Sequence, residues 1–155
     1  MDYVATPVGA KLPGCTPAPA QCPATTFAHL PAGAAVVYVS SAGGNDSFDG
    51  TADKPMRTIL AALAVAKAGG YVALAAGEYN EALIVKSSIS LVGVCAAKVS
   101  VVAPGATPCL AVGENSKPMN LVVSGVTFKG DGPGIWAGAQ RWQVLRSDIR
   151  QLSYK

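Results

Sequence analysis

Short apolar runs separated by turn residues recur along most of the chain. The first run is Val36–Ser40, whose β-branched and aromatic residues favour a strand. Gly, Pro, Asn or Ser residues separate the later runs, and together they predict strands at Tyr71–Ala75, Ala82–Val85, Ile89–Val92, Val99–Val102, Leu110–Val112, Leu121–Val123, Val126–Phe128, Ile135–Ala137 and Val144–Leu145. Connections this short leave no room for helical crossovers between successive strands.

One segment has helical spacing instead. Its apolar stripe consists of Ile59, Leu60, Leu63 and Ala66. The remaining positions are mostly Ala and Val, so the pattern predicts a helix over about 59–68 that is apolar on nearly every side and largely covered. Thr58 is the predicted N-cap, with Asp53 as the alternative, and Gly69-Gly70 ends the helix.

Two architectures fit strands at this spacing, a β-sandwich with antiparallel hairpins and a parallel β-solenoid. Hairpin signals between the predicted strands are weak. A weak internal repeat favours the solenoid, because Val123–Phe128 is matched by Val144–Ile149, 21 residues later. That offset suits one coil of three short strands and their turns.

The composition agrees with many short strands. The 155 residues suffice for one domain, and the 14% of charged residues is well below the roughly 25% of an average domain. The 17 Gly and 11 Pro residues indicate tight turns. No apolar run reaches the roughly 18 residues needed to span a bilayer. The 12 basic residues are scattered, so the net charge of +3 does not predict nucleic-acid binding.

The first 34 residues differ from the rest. Residues 1–34 are rich in Pro and Ala and predict an extension or tether, whereas 35–155 form the strand-rich domain. The N-terminus has no basic and apolar leader, so we expect the signal of an exported protein to lie outside this chain.

The four cysteines are Cys15, Cys22, Cys95 and Cys109. They contain no C-x-x-C pair and His29 is the single histidine, so ligands for a zinc site are lacking. Their spacing fits two local disulfides in an exported protein, Cys15–Cys22 and Cys95–Cys109. The alternative is four thiols in a cytosolic protein.

Several motifs in fixed order carry a family resemblance. They are Tyr38-Val39-Ser40, Gly44-Asn45-Asp46, Asp49-Gly50-Thr51, Lys54-Pro55-Met56-Arg57-Thr58-Ile59, Tyr71-Val72, Gly77-Glu78-Tyr79-Asn80-Glu81 and Ile89-Ser90-Leu91-Val92-Gly93. Residues 36–93 resemble the N-terminal region of right-handed parallel β-helix proteins of the pectate-lyase-like superfamily. The match is closest to a subgroup carried as a domain of unknown function in bacterial extracellular proteins. Residues 121–151 resemble ordinary later coils.

The resemblance implies an all-β fold, a right-handed parallel β-helix (solenoid) capped at its N-terminal end by the helix at about 59–68. It also implies a structural role for residues 77–81, with Tyr79 packing on the cap. Solenoids need polar caps, and none precedes Lys155. We therefore expect further β-helix coils or a partner at the C-terminal end.

Residues 45–50 place side-chain oxygens at alternate positions before a glycine, as a calcium loop does. An EF-hand would have Glu at the twelfth position, where this chain has Met56. Capping of turns by Asn45 and Asp49 explains the segment better, with bound Ca²⁺ as the alternative and no other cofactor expected.

Catalytic constellations are sparse. Glu78 and Glu81 form a carboxylate pair in a predicted turn, where a structural role is favoured over acid–base catalysis. The charged residues available to a lyase are Lys129, Asp131, Arg141, Arg146, Asp148 and Arg150. They include too few acids for a calcium cluster, so no catalytic residue is assigned.

Aromatic and charged residues near the C-terminus suit a saccharide better. Trp142 can stack on a sugar ring, with Arg141 and Asp131 holding polar or acidic groups, whereas Trp136 is predicted to be core. We expect a structural or adhesive module of an extracellular or cell-surface protein that contacts polysaccharide. The alternative is the N-terminal part of a polysaccharide lyase or glycoside hydrolase with its active site outside this chain.

Overall fold

The computed structural model describes residues 22–112, 119–132, 135–137 and 142–144. These residues contain one helix, α1 (Ile59–Val65), and eleven strands. The strands are β1 (Val36–Val39), β2 (Tyr71–Leu74), β3 (Gly77–Tyr79), β4 (Leu83–Val85), β5 (Ile89–Gly93), β6 (Val99–Val102), β7 (Leu110–Val112), β8 (Met119–Ser124), β9 (Thr127–Lys129), β10 (Ile135–Ala137) and β11 (Trp142–Val144).

The described strands form three parallel sheets. The first has the order β1-β2-β5-β8-β11, the second β3-β6-β9 and the third β4-β7-β10. After α1 the chain passes through the first, second and third sheets and returns to the first beside the strand it left. We call each such passage a circuit. Because every pairing of these strands is parallel, an antiparallel sandwich is excluded for them.

Alternation along the strands produces aligned apolar stacks inside the sheets. In the first sheet Leu91 is in register with Val72 and Val123, and all three are at most 2% exposed. The corresponding stack of the second sheet is Tyr79, Val101 and Phe128. Neighbouring strands lie about 4.8 Å apart, so side chains in register pack directly on one another. The result is one continuous core shared by the circuits.

Helix α1 confirms the predicted start but not the predicted end. Thr58 is the N-cap, and its hydroxyl accepts a hydrogen bond from the Ala61 N–H at 3.2 Å. The helix ends at Val65 rather than about residue 68, because the backbone of Ala66 is already extended.

One face of α1 packs against β1, β2 and β4. Ile59 and Ala62 are fully buried there, whereas Leu60 and Val65 are 42% and 55% exposed. The prediction of a helix covered on nearly every side is therefore wrong. Seven residues make two turns, and the sheets offer a surface to one side of them only.

The segment between β1 and α1, residues 40–58, is the cap junction. It folds back along the free edge of β1, where Tyr38 N–H donates to the Gly50 carbonyl at 2.8 Å and Met56 N–H donates to the Tyr38 carbonyl at 2.9 Å. Gly44 has no room for a Cβ, since the carbonyl oxygens of Met56 and Ser40 would overlap it. The junction thus occupies an edge that would otherwise expose unpaired backbone groups.

Two further expectations about the strands are wrong. Residues 77–79 form β3 rather than a turn, because Glu78 pairs with Ser100 of β6. The expected offset of 21 residues also fails, since Val144 is in register with Leu121 and not with Val123. Circuits differ in length because their corners differ, and a fixed period does not describe them.

The predicted cysteine pairing is wrong as well. Cys22 is bonded to Cys95, with 5.4 Å between the Cα atoms and a sequence separation of 73. Cys109 is a buried free thiol whose Sγ donates to the Lys129 carbonyl at 3.1 Å, so it faces the core and away from Cys95. Cys15 lies outside the described residues.

Candidate functional site

Polar side chains line the outer face of the second sheet. Glu78, Ser100 and Thr127 are in register on β3, β6 and β9, at positions that alternate with the buried Tyr79, Val101 and Phe128. Parallel pairing therefore sets a carboxylate and two hydroxyls in a row at about 4.8 Å spacing. We call this row, together with Lys129, the polar face.

Local hydrogen bonds hold the members of the polar face in place. Ser100 Oγ donates to Glu78 Oε2 at 3.5 Å, and Thr127 Oγ1 donates to the Ala96 carbonyl at 2.7 Å. Lys129 Nζ lies 4.0 Å from Glu78 Oε2, and both side chains are more than half exposed. An exposed ion pair of this length contributes little to stability, so both charges remain available to a ligand.

Of the three predicted ligand residues, Asp131 is near the polar face. It is exposed and follows the last residue of β9 by two positions. Arg141 lies outside the described residues. Trp142 begins β11 in register with Met119, and Trp136 is in register with Ala111 of β7, which pairs with Ile84. Binding by Trp142, Arg141 and Asp131 stays a prediction.

The acidic residues of the cap junction are committed to backbone groups. Asp46 Oδ1 accepts from the N–H groups of Arg57 and Thr58 at 2.9 and 2.8 Å, and Asp46 Oδ2 accepts from the Thr58 hydroxyl at 3.0 Å. Partial burial alone would raise the pKa of Asp46, but the hydrogen bonds from Thr58 and Arg57 outweigh it and lower that pKa.

The two turn-capping residues are confirmed. Asn45 Oδ1 accepts from Ser47 N–H at 2.9 Å, and Asp49 Oδ1 accepts from Thr51 N–H at 3.1 Å. Bonds from the hydroxyl and the N–H of Thr51 lower the pKa of Asp49. Within the described ranges no group of three or more His, Cys, Asp or Glu side chains is placed to hold a metal ion.

Glu78 and Glu81 do not act as a pair. Glu81 Oε1 and Oε2 accept from the N–H groups of Ile59 and Leu60, both at 2.9 Å, so this carboxylate caps α1 while Glu78 lies on the polar face. Tyr79 between them is 2% exposed, and its hydroxyl donates to the Ala75 carbonyl at 2.9 Å. Burial raises the pKa of Tyr79 to about 12.

A groove of about 260 Å³ lies between α1 and the edge strand β4. Its lining is mostly aliphatic: Leu60, Leu63, Ala64, Ile84, Val85, Lys86 and Ser87. Such a surface offers apolar contact but few of the oriented polar groups that recognise a saccharide.

Sequence reasoning missed most of the polar face. Ser100 and Thr127 carry no motif, and their signal is the single polar residue between apolar neighbours, as in Val99-Ser100-Val101. That alternation marks an outward position but does not show which strands lie side by side.

A family model described as Protein of unknown function (DUF1565) matches residues 42–128, which include the cap junction, α1 and the strands of the polar face. Searches among curated proteins and among solved structures find no match. Across the part of the chain that the structure describes, no helix has the length and hydropathy required to cross a bilayer.

Proposed function

Because this chain belongs to the family described as Protein of unknown function (DUF1565), which itself names no activity, we propose a function from the geometry: a rigid extracellular module that contacts polysaccharide through its polar face. The row of Glu78, Ser100 and Thr127, with Lys129 beside it, carries this proposal. Carboxylates, hydroxyls and ammonium groups are suited to the many hydroxyls of a saccharide. A regular row also suits a polymer with a regular repeat.

We further propose that the architecture is a right-handed parallel β-helix of the pectate-lyase-like kind, with α1 as its N-terminal cap. Three parallel sheets visited in a constant order support this assignment. The stacks of aligned apolar residues inside the sheets support it as well. A β-helix presents long, flat outer faces on a stiff core, which suits a structural or adhesive role.

The Cys22–Cys95 disulfide supports an extracellular location. Structural disulfides form and persist in oxidising compartments and are rare in the cytosol. An exported surface module would meet polysaccharide directly.

Binding to a panel of neutral and acidic polysaccharides, measured by glycan array and then by calorimetry, tests the function. We expect Ser100→Ala and Thr127→Val each to weaken binding about five-fold, the value of one hydrogen bond. Ser90→Ala, on the outer side of the first sheet, is the matched control and should leave the affinity unchanged. Absence of binding to every polysaccharide, or equal effects of all three variants, would refute the proposal. Release of unsaturated or reducing sugars would instead support a lyase or a hydrolase.

A further inference from the structure

Residues 22–35, here called the strap, run across the first sheet before β1 begins. One end is bonded through Cys22 to Cys95, which follows β5. At the other end, the Ala35 carbonyl accepts from Tyr71 N–H at 2.8 Å, at the start of β2. The strap therefore spans the strands β1, β2 and β5.

The strap lies on the outer side of this sheet. Tyr38 alternates with Val39, which belongs to the core, and so Tyr38 faces outward. The ring of Phe27 contacts Tyr38 edge to face, with 4.8 Å between the centroids. Ala73 is in register with Tyr38 and is 0% exposed although its neighbours Val72 and Leu74 face the core.

The outer faces of the other two sheets are open by comparison. Glu78 of the second sheet is exposed, and Ile84 of the third is 51% exposed. An outward-facing alanine with no exposed surface is therefore particular to the sheet that the strap crosses.

The strap itself is held lightly. Residues 23–26 and 31–33 are exposed, and no residue of the strap is fully buried. Cys22 and Cys95 are both only half-buried, so a thiolate in solution can reach their sulfurs. The apolar stacks of the core contain no strap residue.

We propose that the Cys22–Cys95 disulfide is a redox-controlled clasp that keeps the strap over the first sheet. A dithiol attacks one sulfur and forms a mixed disulfide, and its second thiol then resolves that bond. The products are the Cys22 and Cys95 thiols and the oxidised, disulfide form of the dithiol. The freed strap leaves the sheet and uncovers an apolar outer surface at Tyr38 and Ala73, while the circuits stay folded.

Chymotrypsin provides the test, since Phe27 lies in the strap and its ring is covered by Tyr38 in the closed form. The full chain with Cys15→Ser is used, so that no third thiol competes for Cys22. Incubation with dithiothreitol should raise the rate of cleavage after Phe27 at least ten-fold, and reoxidation should restore the slow rate. Adding Cys95→Ser should give the fast rate with or without the dithiol.

Hydrogen–deuterium exchange on the same samples distinguishes release of the strap from unfolding. We expect peptides of the second and third sheets, such as those containing Val101 and Leu110, to exchange equally in both redox states. An unchanged cleavage rate after reduction would overturn the proposal. Exchange that rises equally in all three sheets would overturn it too, because the disulfide would then hold the whole fold and not the strap.

Discussion

The regular circuits and the cap junction are stabilised by different interactions, although they are adjacent in the molecule. In the circuits, residues such as Leu91 are buried between identical positions of the neighbouring strands. In the cap junction, the carboxylates of Asp46 and Glu81 bind the backbone N–H groups at the start of α1. Apolar area dominates in the first region, and individual polar contacts dominate in the second.

This difference affects how each region tolerates change. A core stack loses energy in proportion to the area and volume removed, whichever strand is altered. The start of a helix has a few N–H groups with no partner inside the helix, so one side chain can decide its stability. The two regions should therefore respond differently to substitution and to pH.

The largest effect is expected in the circuits. Leu91→Ala removes a side chain that is 1% exposed and packed between Val72 and Val123. Loss of buried area plus the cavity left behind should lower the free energy of unfolding by about 3 kcal/mol. Urea denaturation followed by circular dichroism measures this change.

Leu60→Ala is the matched control, because Leu60 belongs to α1 and is 42% exposed. It should cost less than about 1 kcal/mol, since partial burial supplies only part of the transfer energy. Equal losses in the two variants would contradict the view that the core of the circuits dominates stability.

An intermediate effect is expected from the carboxylate that caps α1. Glu81→Ala leaves the N–H groups of Ile59 and Leu60 without their acceptor, and should cost about 1–2 kcal/mol. Glu78→Ala removes an acidic residue three positions earlier, from the open polar face, and should change stability by less than about 0.5 kcal/mol. Similar losses in thermal denaturation of the two variants would show that charge, rather than capping, is responsible.

The circuits were the more predictable of the two regions. Alternation identified nearly every strand, for example Val99–Val102, because one face of each is buried. It missed β3, whose Gly77-Glu78-Tyr79 contains two residues common in turns and is a strand through its pairing with β6. Register failed for the same reason, since corner lengths rather than a sequence period set which residues align.

Long-range partners were beyond the sequence. Thr58 was found as the N-cap because the capping bond is local, whereas Glu81 binds α1 from 22 residues away. Likewise the spacing of cysteines favoured nearby pairs, but the strap brings Cys22 to Cys95 across 73 residues. Of the polar face, Asp131 and Lys129 were noticed for their charge, while Ser100 and Thr127 needed the sheet to bring them together.

The smallest effect, and the most specific to the cap junction, concerns Asp46. Its folded-state pKa lies below the ordinary value of 3.8, so the carboxylate stabilises the fold above that value and loses this contribution as the pH falls through the lowered pKa. Asp46→Asn should therefore cost about 1 kcal/mol near neutral pH and almost nothing at about pH 2, where the wild-type side chain is neutral as well. Urea denaturation of both proteins across this pH range measures the difference directly, because the other carboxyl groups are common to both. The exposed Asp53, the rejected alternative for the N-cap, supplies the control: Asp53→Asn should show no such pH-dependent loss. A cost for Asp46→Asn that stays constant with pH would mean that Asp46 acts through its shape and not through its charge.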